Sequence, residues 1–366
     1  MQRIGIVGIG NISGIYLKNL SEMFGKRVKV TAAADIIFER AQKAALDYNI
    51  RAFKTADELV NSDEVDIVLN ITPPNSHYEV ALAAVKAGKH IYTEKPLCAK
   101  REEAAEILKI AAEKKVRVGG APDTFLGAGF QTCRKLIDDG WIGAPVAAAA
   151  VLMSHGPEHW HPNPHFFYKD GGGPMFDMGP YYITALVSLL GPVSRVSGSA
   201  RISTPTRTIT NSIQYGDLIE VKVPTHIAAT LDFAGIAPNS SAGGPVATLI
   251  TSFDVYSHSL PCIEIYGTEG TLKAPDPNTF GGPVFVRRMR EDEWYQIPLI
   301  KNYPENSRGL GITDMAEAIE ENRPHRANGE LAFHVLDVMH SIHDASVLGK
   351  YIKLKPKLKR PEAMGK

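Results

Sequence analysis

Near the N-terminus, Arg3-Ile4-Gly5-Ile6-Val7-Gly8-Ile9-Gly10-Asn11-Ile12-Ser13-Gly14 reads as an apolar strand, a glycine turn and the start of a helix. That order of elements holds a dinucleotide pyrophosphate. Gly8 permits the tight turn, and Gly10 lets the backbone approach the phosphates. The amides of Asn11 and Ile12 then sit at a helix N-terminus, where the helix dipole favours an anion. Ser13 takes the place of the third glycine, with Gly14 beside it. Asp35 ends the next strand, where a carboxylate accepts hydrogen bonds from ribose hydroxyls and repels a 2′-phosphate. Ile36 and Ile37 follow it without a cation, Arg40 being the nearest, so NAD is expected in preference to NADP. Further on, Tyr92-Thr93-Glu94-Lys95-Pro96 puts a lysine at the end of a later strand, on the edge where such sheets bind ligands. Together the segments point to hydride transfer with nicotinamide and a lysine at the reaction centre.

Two further segments bear on the site. In Asn70-Ile71-Thr72-Pro73-Pro74-Asn75-Ser76-His77, Thr72 and Pro73 are expected beside the cofactor, together with Glu94. Asn75 or Ser76 would cap the following helix, and His77 reads as a helix-start or cofactor-packing residue. The run from His155 to Tyr168 carries His155, Glu158, His159, His161 and His165 among aromatic residues. A metal site, a structural loop and a substrate wall compete there. The spacing matches no helix-borne zinc motif, so no metal is expected. The substrate wall is favoured: His161 and His165 would hydrogen-bond polar groups of a substrate while Trp160 and Tyr168 present flat apolar faces to it. Asn302–Gly311, with Arg308, is open between a closing loop and a plain surface loop.

The elements that position these residues follow from periodicity. Strands are expected at Arg3–Val7, Val28–Ala34, Ile67–Ile71, His90–Thr93 and Val116–Gly119. Helical patterns separate them near Ile15–Phe24, Phe38–Tyr48, Ala56–Val60, Tyr78–Ala87 and Glu102–Lys114. This rhythm of apolar strands and helices predicts an N-terminal Rossmann-type parallel sheet over residues 1–122. From 123 to 366 the strands lengthen and alternate, at Ala147–Met153, Val193–Ile202, His226–Phe233, Thr248–Tyr256 and Cys262–Tyr266. They predict an α/β domain with a large, mainly antiparallel open sheet, entered by a helix near Phe125–Asp139 and closed by one near Leu331–Leu348. Asn239–Gly244 reads as a hairpin loop.

At 366 residues, two domains are expected. Lys+Arg and Asp+Glu are 40 each, which gives no global field toward nucleic acid or an anionic membrane. Cys98, Cys133 and Cys262 form no CxxC, and neither a disulfide framework nor a zinc site is indicated. A strand starting at Arg3 leaves no room for a leader peptide, and no apolar run reaches the ~18 residues of a membrane span. A cytoplasmic location is expected.

The glycine turn, Thr72-Pro73…His77, Glu94-Lys95-Pro96 and Gly171-Gly172-Gly173…Asp177-x-Gly179 fall in an order that resembles the glucose–fructose oxidoreductase/inositol dehydrogenase (Gfo/Idh/MocA) family. The resemblance covers essentially the whole chain. It implies a Rossmann domain, a second domain whose open sheet builds a homo-oligomer (a dimer or tetramer), and NAD(P)-dependent chemistry on a sugar or cyclitol alcohol. It also implies that Lys95 contacts the reacting oxygen and that Asp177 supports the acid/base group. The chain departs from the family at Tyr181, where a histidine is usual, and at Ala121-Pro122-Asp123, where an arginine is frequent.

Alcohol oxidation needs a base for the hydroxyl proton and a cation for the developing alkoxide. Lys95 can supply both if desolvation and neighbours lower its pKa. Tyr181, whose ordinary pKa is about 10, would act as relay and Asp177 would orient one of the two. If the segment is helical, Asp177 and Tyr181 share a face, with Tyr182 adjoining the substrate. The expected function is NAD-dependent oxidation of a ring secondary alcohol of a sugar, glycoside (at C3) or cyclitol. A keto-sugar or imine reductase and a non-catalytic dinucleotide sensor are the alternatives.

Overall fold

The computed structural model describes residues 1–235 and 243–365; of the expected hairpin loop, residues 239–242 lie outside the described residues. The chain forms two compact units, one of Met1–Leu126 with Asn306–Leu336 and one of Gly127–Glu305 with Asp337–Lys366.

The first unit opens with β1 (Gln2–Val7), α1 (Ser13–Ser21), β2 (Val28–Ala34), α2 (Phe38–Tyr48), β3 (Arg51–Phe53), α3 (Ala56–Val60), β4 (Ile67–Asn70), α4 (His77–Lys86), β5 (His90–Thr93), α5 (Arg101–Lys114) and β6 (Val118–Gly120). The strands form a parallel sheet in the order β3-β2-β1-β4-β5-β6. β4 is buried at all four positions, as a strand covered on both faces must be. Its register is the feature that matters for function. Val7 pairs with Ala34 and Asn70, Asn70 with Thr93, and Thr93 with Gly120. Phe53, the last residue of β3, also pairs with Ala34, so all six strands end on one row; the exits of β1, β2, β4, β5 and β6, taken in that order as the first to fifth, carry the candidate residues.

The second unit contains α6 (Ala128–Asp138), β7 (Pro145–Met153), α7 (Gly173–Leu190), β8 (Val193–Arg201), β9 (Thr206–Thr208), β10 (Leu218–Glu220), β11 (His226–Phe233), β12 (Val246–Ser252), β13 (Ile263–Gly267), β14 (Gly270–Ala274), β15 (Val284–Arg288) and β16 (Tyr295–Ile297). Its nine-stranded sheet runs β16-β15-β14-β13-β7-β12-β11-β8-β17, with β17 at Ile352–Lys353. Only β7–β12 is a parallel pair; the other neighbours run antiparallel. In β11, Ile227, Ala229, Leu231 and Phe233 are buried while the residues between them are partly exposed, the pattern of a sheet covered on one face. The long helix α7 packs over β7, β11 and β12 on the covered face. α8 (Leu310–Glu320) belongs to the first unit, and α9 (Gly329–Leu348) starts in the first and ends in the second. Among the described residues no helix is long and apolar enough to cross a membrane.

The parallel and antiparallel sheets agree with expectation, but the division of the chain is less simple than a cut at residue 122. Asn306–Leu336 returns to the first unit, covering the free edge of β6. The Gly120 amide donates to the Ala327 carbonyl at 3.1 Å, Gly119 forms a bridge with Asn328, and His325 Nε2 lies 3.0 Å from the Val118 carbonyl. A buried carboxylate organises the return: Asp314, 1% exposed, pairs with Arg323 at 2.9 Å and with Arg326, whose amide also donates to it at 2.8 Å. Removing one partner of such a buried group strands the others, so Asp314→Ala should lower stability by about 3 kcal/mol. Urea unfolding checks this: the midpoint should fall with little change in slope.

Candidate active site

The first exit from the row of strand ends is the glycine turn. Gly8 has φ +97°, donates to the Ala34 carbonyl at 2.9 Å, and leaves no room for a side chain, since a Cβ there would stand 2.8 Å from the Thr72 amide. Only glycine satisfies both demands. Gly10 is the reverse case: a Cβ there meets nothing within 4 Å, so its glycine leaves an open cradle. Ser13 is buried and closes the turn from behind, its hydroxyl donating to the Gly10 carbonyl at 2.7 Å. α1 begins at Ser13 with Ile12 in the cap position, and no side chain caps it. The Ser13 amide donates to the Gly10 carbonyl at 3.1 Å, and the helix end with no side-chain cap suits an anion beside the Gly10 cradle. These residues fit a dinucleotide pyrophosphate.

The second exit carries Asp35, which is 8% exposed. One carboxylate oxygen accepts from the Ile9 amide at 2.6 Å and the other from the Ile37 amide at 2.8 Å. Each oxygen keeps a second lone pair, enough for a pair of ribose hydroxyls. Asp35 thus also ties the strand exit to the glycine turn.

At the third exit, Asn70 is wholly buried. It donates to the His77 carbonyl at 3.0 Å and accepts from the Thr72 hydroxyl at 2.7 Å. His77 is 1% exposed, with its ring held between the Pro96 carbonyl (2.7 Å from Nδ1) and the Thr72 carbonyl (2.9 Å from Nε2). Burial lowers its pKa. His77, read from the sequence as a helix-start or cofactor-packing residue, ties the third exit to the fourth. Thr72 is half-buried, and Pro73 and Asn75 are exposed in this loop. Ser76, not Asn75, takes the cap position of α4, and its side chain makes no capping bond.

The fourth exit brings Glu94 and Lys95. The Lys95–Pro96 bond is cis, as is Ala121–Pro122 at the fifth exit. Glu94, 8% exposed, accepts from the Tyr16 hydroxyl at 2.7 Å through one oxygen and from the Lys95 amide at 2.9 Å through the other. Lys95 itself is half-buried. Close by, Asp123 follows the fifth exit and is 1% exposed, accepting from the amides of Gly309 at 3.1 Å and Gly311 at 2.9 Å. Asn19, also buried, donates to the carbonyls of Asn306 and Arg308 at 2.8 and 2.9 Å. Two buried side chains thus fasten Asn306–Gly311 within the first unit, which decides between a closing loop and a free surface loop in favour of a fixed strap.

In the second unit, Asp177 and Tyr181 lie one turn apart on α7, as the spacing required. Asp177 is partly exposed and Tyr181 is buried. Tyr182 is 2% exposed and hydrogen-bonded to Cys262, and burial drives its pKa up. Expected from the sequence beside the substrate, its side chain is packed in the core.

The loop between β7 and α7 is fixed from within by a buried charged cluster. Glu158, 3% exposed, receives the Arg207 guanidinium at 2.8 Å and the Tyr168 hydroxyl. Arg207 also donates to Asp254 at 2.8 Å, to the His155 carbonyl at 2.6 Å and to the Phe253 carbonyl at 3.0 Å. The carboxylate that a metal would need is thus committed to an arginine, and no group of ligating side chains gathers among the described residues. Tyr168, expected from the sequence at the substrate, is wholly buried and clusters with Phe167, Ile209, Ile219, Val221 and Phe253. The loop keeps a polar and aromatic outer surface. Trp160 is 61% exposed, Phe166 is 48% exposed, and His161 meets Trp160, Phe166 and Phe167 edge-on at centroid distances of 5.1–5.3 Å. His161 and His165 are half-buried.

Residues 2–120 match the oxidoreductase family with an NAD-binding Rossmann fold, Gfo/Idh/MocA, and residues 130–273 match a Gfo/Idh/MocA C-terminal domain. The chain belongs to this family. Among curated relatives, an inositol 2-dehydrogenase of Saccharopolyspora erythraea is 26% identical over 80% of both chains. An inositol 2-dehydrogenase/D-chiro-inositol 3-dehydrogenase of Lactiplantibacillus plantarum is 35% identical, but over 39% of this chain and 42% of that protein. A levoglucosan dehydrogenase solved with NADH and levoglucosan shares the fold, with a TM-score of 0.79 at 17% identity over 97% of this chain and 99% of that one.

Sequence reading did not assign roles to Asn70, Tyr16, Asn19 or Arg207. Asn70 carried a signal, a polar residue closing an otherwise apolar strand. Arg207 carried none, because its acceptors come from distant stretches of chain. Burial raises the Asp123 pKa to about 6, with Glu94 adding to the effect, against the amides and Arg308. A carboxyl group that holds its proton more tightly when folded loses stability as pH rises from the unfolded value near 4 to the folded value. Asp123→Asn keeps an acceptor for the amides and removes this titration. Wild type should therefore lose stability relative to Asp123→Asn between pH 4 and 6, on the order of 2 kcal/mol, measured as paired urea midpoints across that range.

Proposed function

We propose that this protein is an NAD-dependent dehydrogenase of a ring secondary alcohol on a sugar, glycoside or cyclitol, with oxidation at C3 of a glycoside as the preferred case. The observation that carries the reading is the common row of strand ends. It sets the Gly8–Gly10 cradle, Asp35 and Glu94–Lys95 on one edge of one sheet. The nicotinamide, when bound, accepts the hydride from the carbinol carbon. Lys95 holds the hydroxyl oxygen through its ammonium group and, when neutral, takes the hydroxyl proton. Asp177 and Tyr181 are the acid/base support contributed by α7, with Tyr181 in the relay role. Two inositol dehydrogenases among the relatives and a neighbour bound to levoglucosan support a polyol ring as substrate. The exposed Trp160 and Phe166, held on an internally fixed loop, favour a substrate with an apolar portion, which an alkyl or aryl glycoside has. Asp35, followed by Ile36 and Ile37 rather than a cation, supports NAD over NADP. A homo-oligomer is part of this reading.

NADH absorbance with a panel of inositols, free sugars and alkyl or aryl glucosides tests the proposal. Turnover with glucosides is expected; turnover with inositols alone moves the assignment to cyclitols. NADH oxidation by keto-sugars with no forward reaction establishes the reductase instead. Lys95→Ala should lower kcat by 10²–10⁴-fold, the usual contribution of an acid/base group. Retention of more than about a tenth of the turnover would remove Lys95 from that role.

A further inference from the structure

Buried polar groups in the first unit that the cofactor and the proton transfer leave unused gather behind Lys95. Tyr16 is wholly buried on α1, and its hydroxyl donates to one oxygen of Glu94 at 2.7 Å. The other oxygen of the same carboxylate accepts the Lys95 amide at 2.9 Å. The glycine-turn end of α1 faces the pyrophosphate cradle, so one helix carries both the anion-facing amides and, one turn further on, this phenol.

We propose that Tyr16 is a positioning residue for Lys95, acting through the Glu94 carboxylate and coupling the backbone at the reaction centre to the cofactor-binding helix. The proposal rests on the reading of Lys95 as the reacting lysine.

The physical case is one of constraint. A buried carboxylate with a single acceptor task can rotate about its last torsion, which is broad for this bond type. With a donor on each oxygen, Glu94 is held at both ends, and the direction of the Lys95 amide is fixed with it. Hydrogen bonds to an ionised acceptor are the stronger kind, and burial strengthens them further. The phenol stays a donor at any working pH, because burial and then Glu94 raise its pKa well above the ordinary value. The other ionisable groups acting on this cluster are Asp123 and Tyr92, both buried, with Arg308 acting on Asp123; His77 senses Glu94 and Lys95. Among these groups, the Tyr16 hydroxyl bonds to Glu94, so its removal reaches Lys95 by way of Glu94.

Tyr16→Phe removes one oxygen and keeps the ring that fills the core. Full-length wild type, Tyr16→Phe, Glu94→Gln and the double variant are compared in three ways. In steady-state kinetics Tyr16→Phe should lower kcat about tenfold, the scale of one charged hydrogen bond, with KM for NAD little changed. In the double variant the second substitution should add almost nothing, because the hydroxyl acts through that carboxylate alone. In hydrogen exchange without cofactor or substrate, the Lys95 amide should exchange faster in Tyr16→Phe while neighbouring β5 amides do not. An unchanged kcat, additive effects in the double variant, or unchanged Lys95 exchange overturns the proposal. If Tyr16→Phe loses thermal stability and KM and kcat worsen together, the hydroxyl serves the fold, and the positioning role is likewise overturned. Lys95→Ala, run alongside, separates the two claims: an active Lys95→Ala enzyme defeats the acid/base reading, while Lys95 amide exchange still reports on Tyr16.

Discussion

The interaction on which the first unit depends is the register of its parallel ladder. Because Val7, Ala34, Asn70, Thr93 and Gly120 share a row, the loops that follow them start from one line. A parallel sheet forces each connection to cross back under a helix, so all its strands finish on the same edge. Side chains from distant stretches of chain therefore become neighbours without any direct attraction between them. Hydrogen bonds between the loops then refine the arrangement. Asp35 joins the second exit to the first, His77 the third to the fourth, and Asp123 joins the fifth to the returning segment 306–311.

Each of these ties uses a buried polar group, and each has its donors or acceptors supplied. An unpaired buried carboxylate costs several kcal/mol, so such a residue persists only where the surrounding chain delivers partners to it. Glu94 has a phenol and an amide, Asp123 two amides, and Asp314 two guanidinium groups and an amide. The raised Asp123 pKa is the visible cost of one that neutral amides serve in place of a cation at bonding distance. Such groups fix direction as well as contact, which suits a site where a proton and a hydride must move along set lines.

The second unit uses the same device for another purpose. Arg207, Glu158 and Asp254 form a buried charge cluster that bolts the loop before α7 to the end of β12. The loop can then present Trp160 and Phe166 outward without collapsing onto them. The histidines that made this segment look like a ligand set are spread between an exposed position at His159, a stack of His155 on Tyr256 at 3.6 Å, and the aromatic surroundings of His161.

Much of this was legible in the chain. Apolar runs of four to seven residues located the parallel strands, and alternation located most of the antiparallel ones, since both patterns come directly from which faces are buried. The glycine turn could be read residue by residue, because positive φ and close approach at Gly8 admit no side chain, while glycine at Gly10 leaves the cradle open. β3 and β14–β16 escaped notice because strands of three to five residues are too short to show a period, and the membership of Asn306–Leu336 in the first unit escaped because nothing local marks which sheet a segment returns to. What the sequence by itself determined was most of the elements and the chemistry of their ends: a glycine turn before a helix, a carboxylate at Asp35, and a lysine after a strand. Only the tertiary structure decided which polar residues are buried among scaffold partners. Tyr168, Tyr182, His77 and Glu158 have the same side chains whether buried or exposed, and partners drawn from distant segments make the difference.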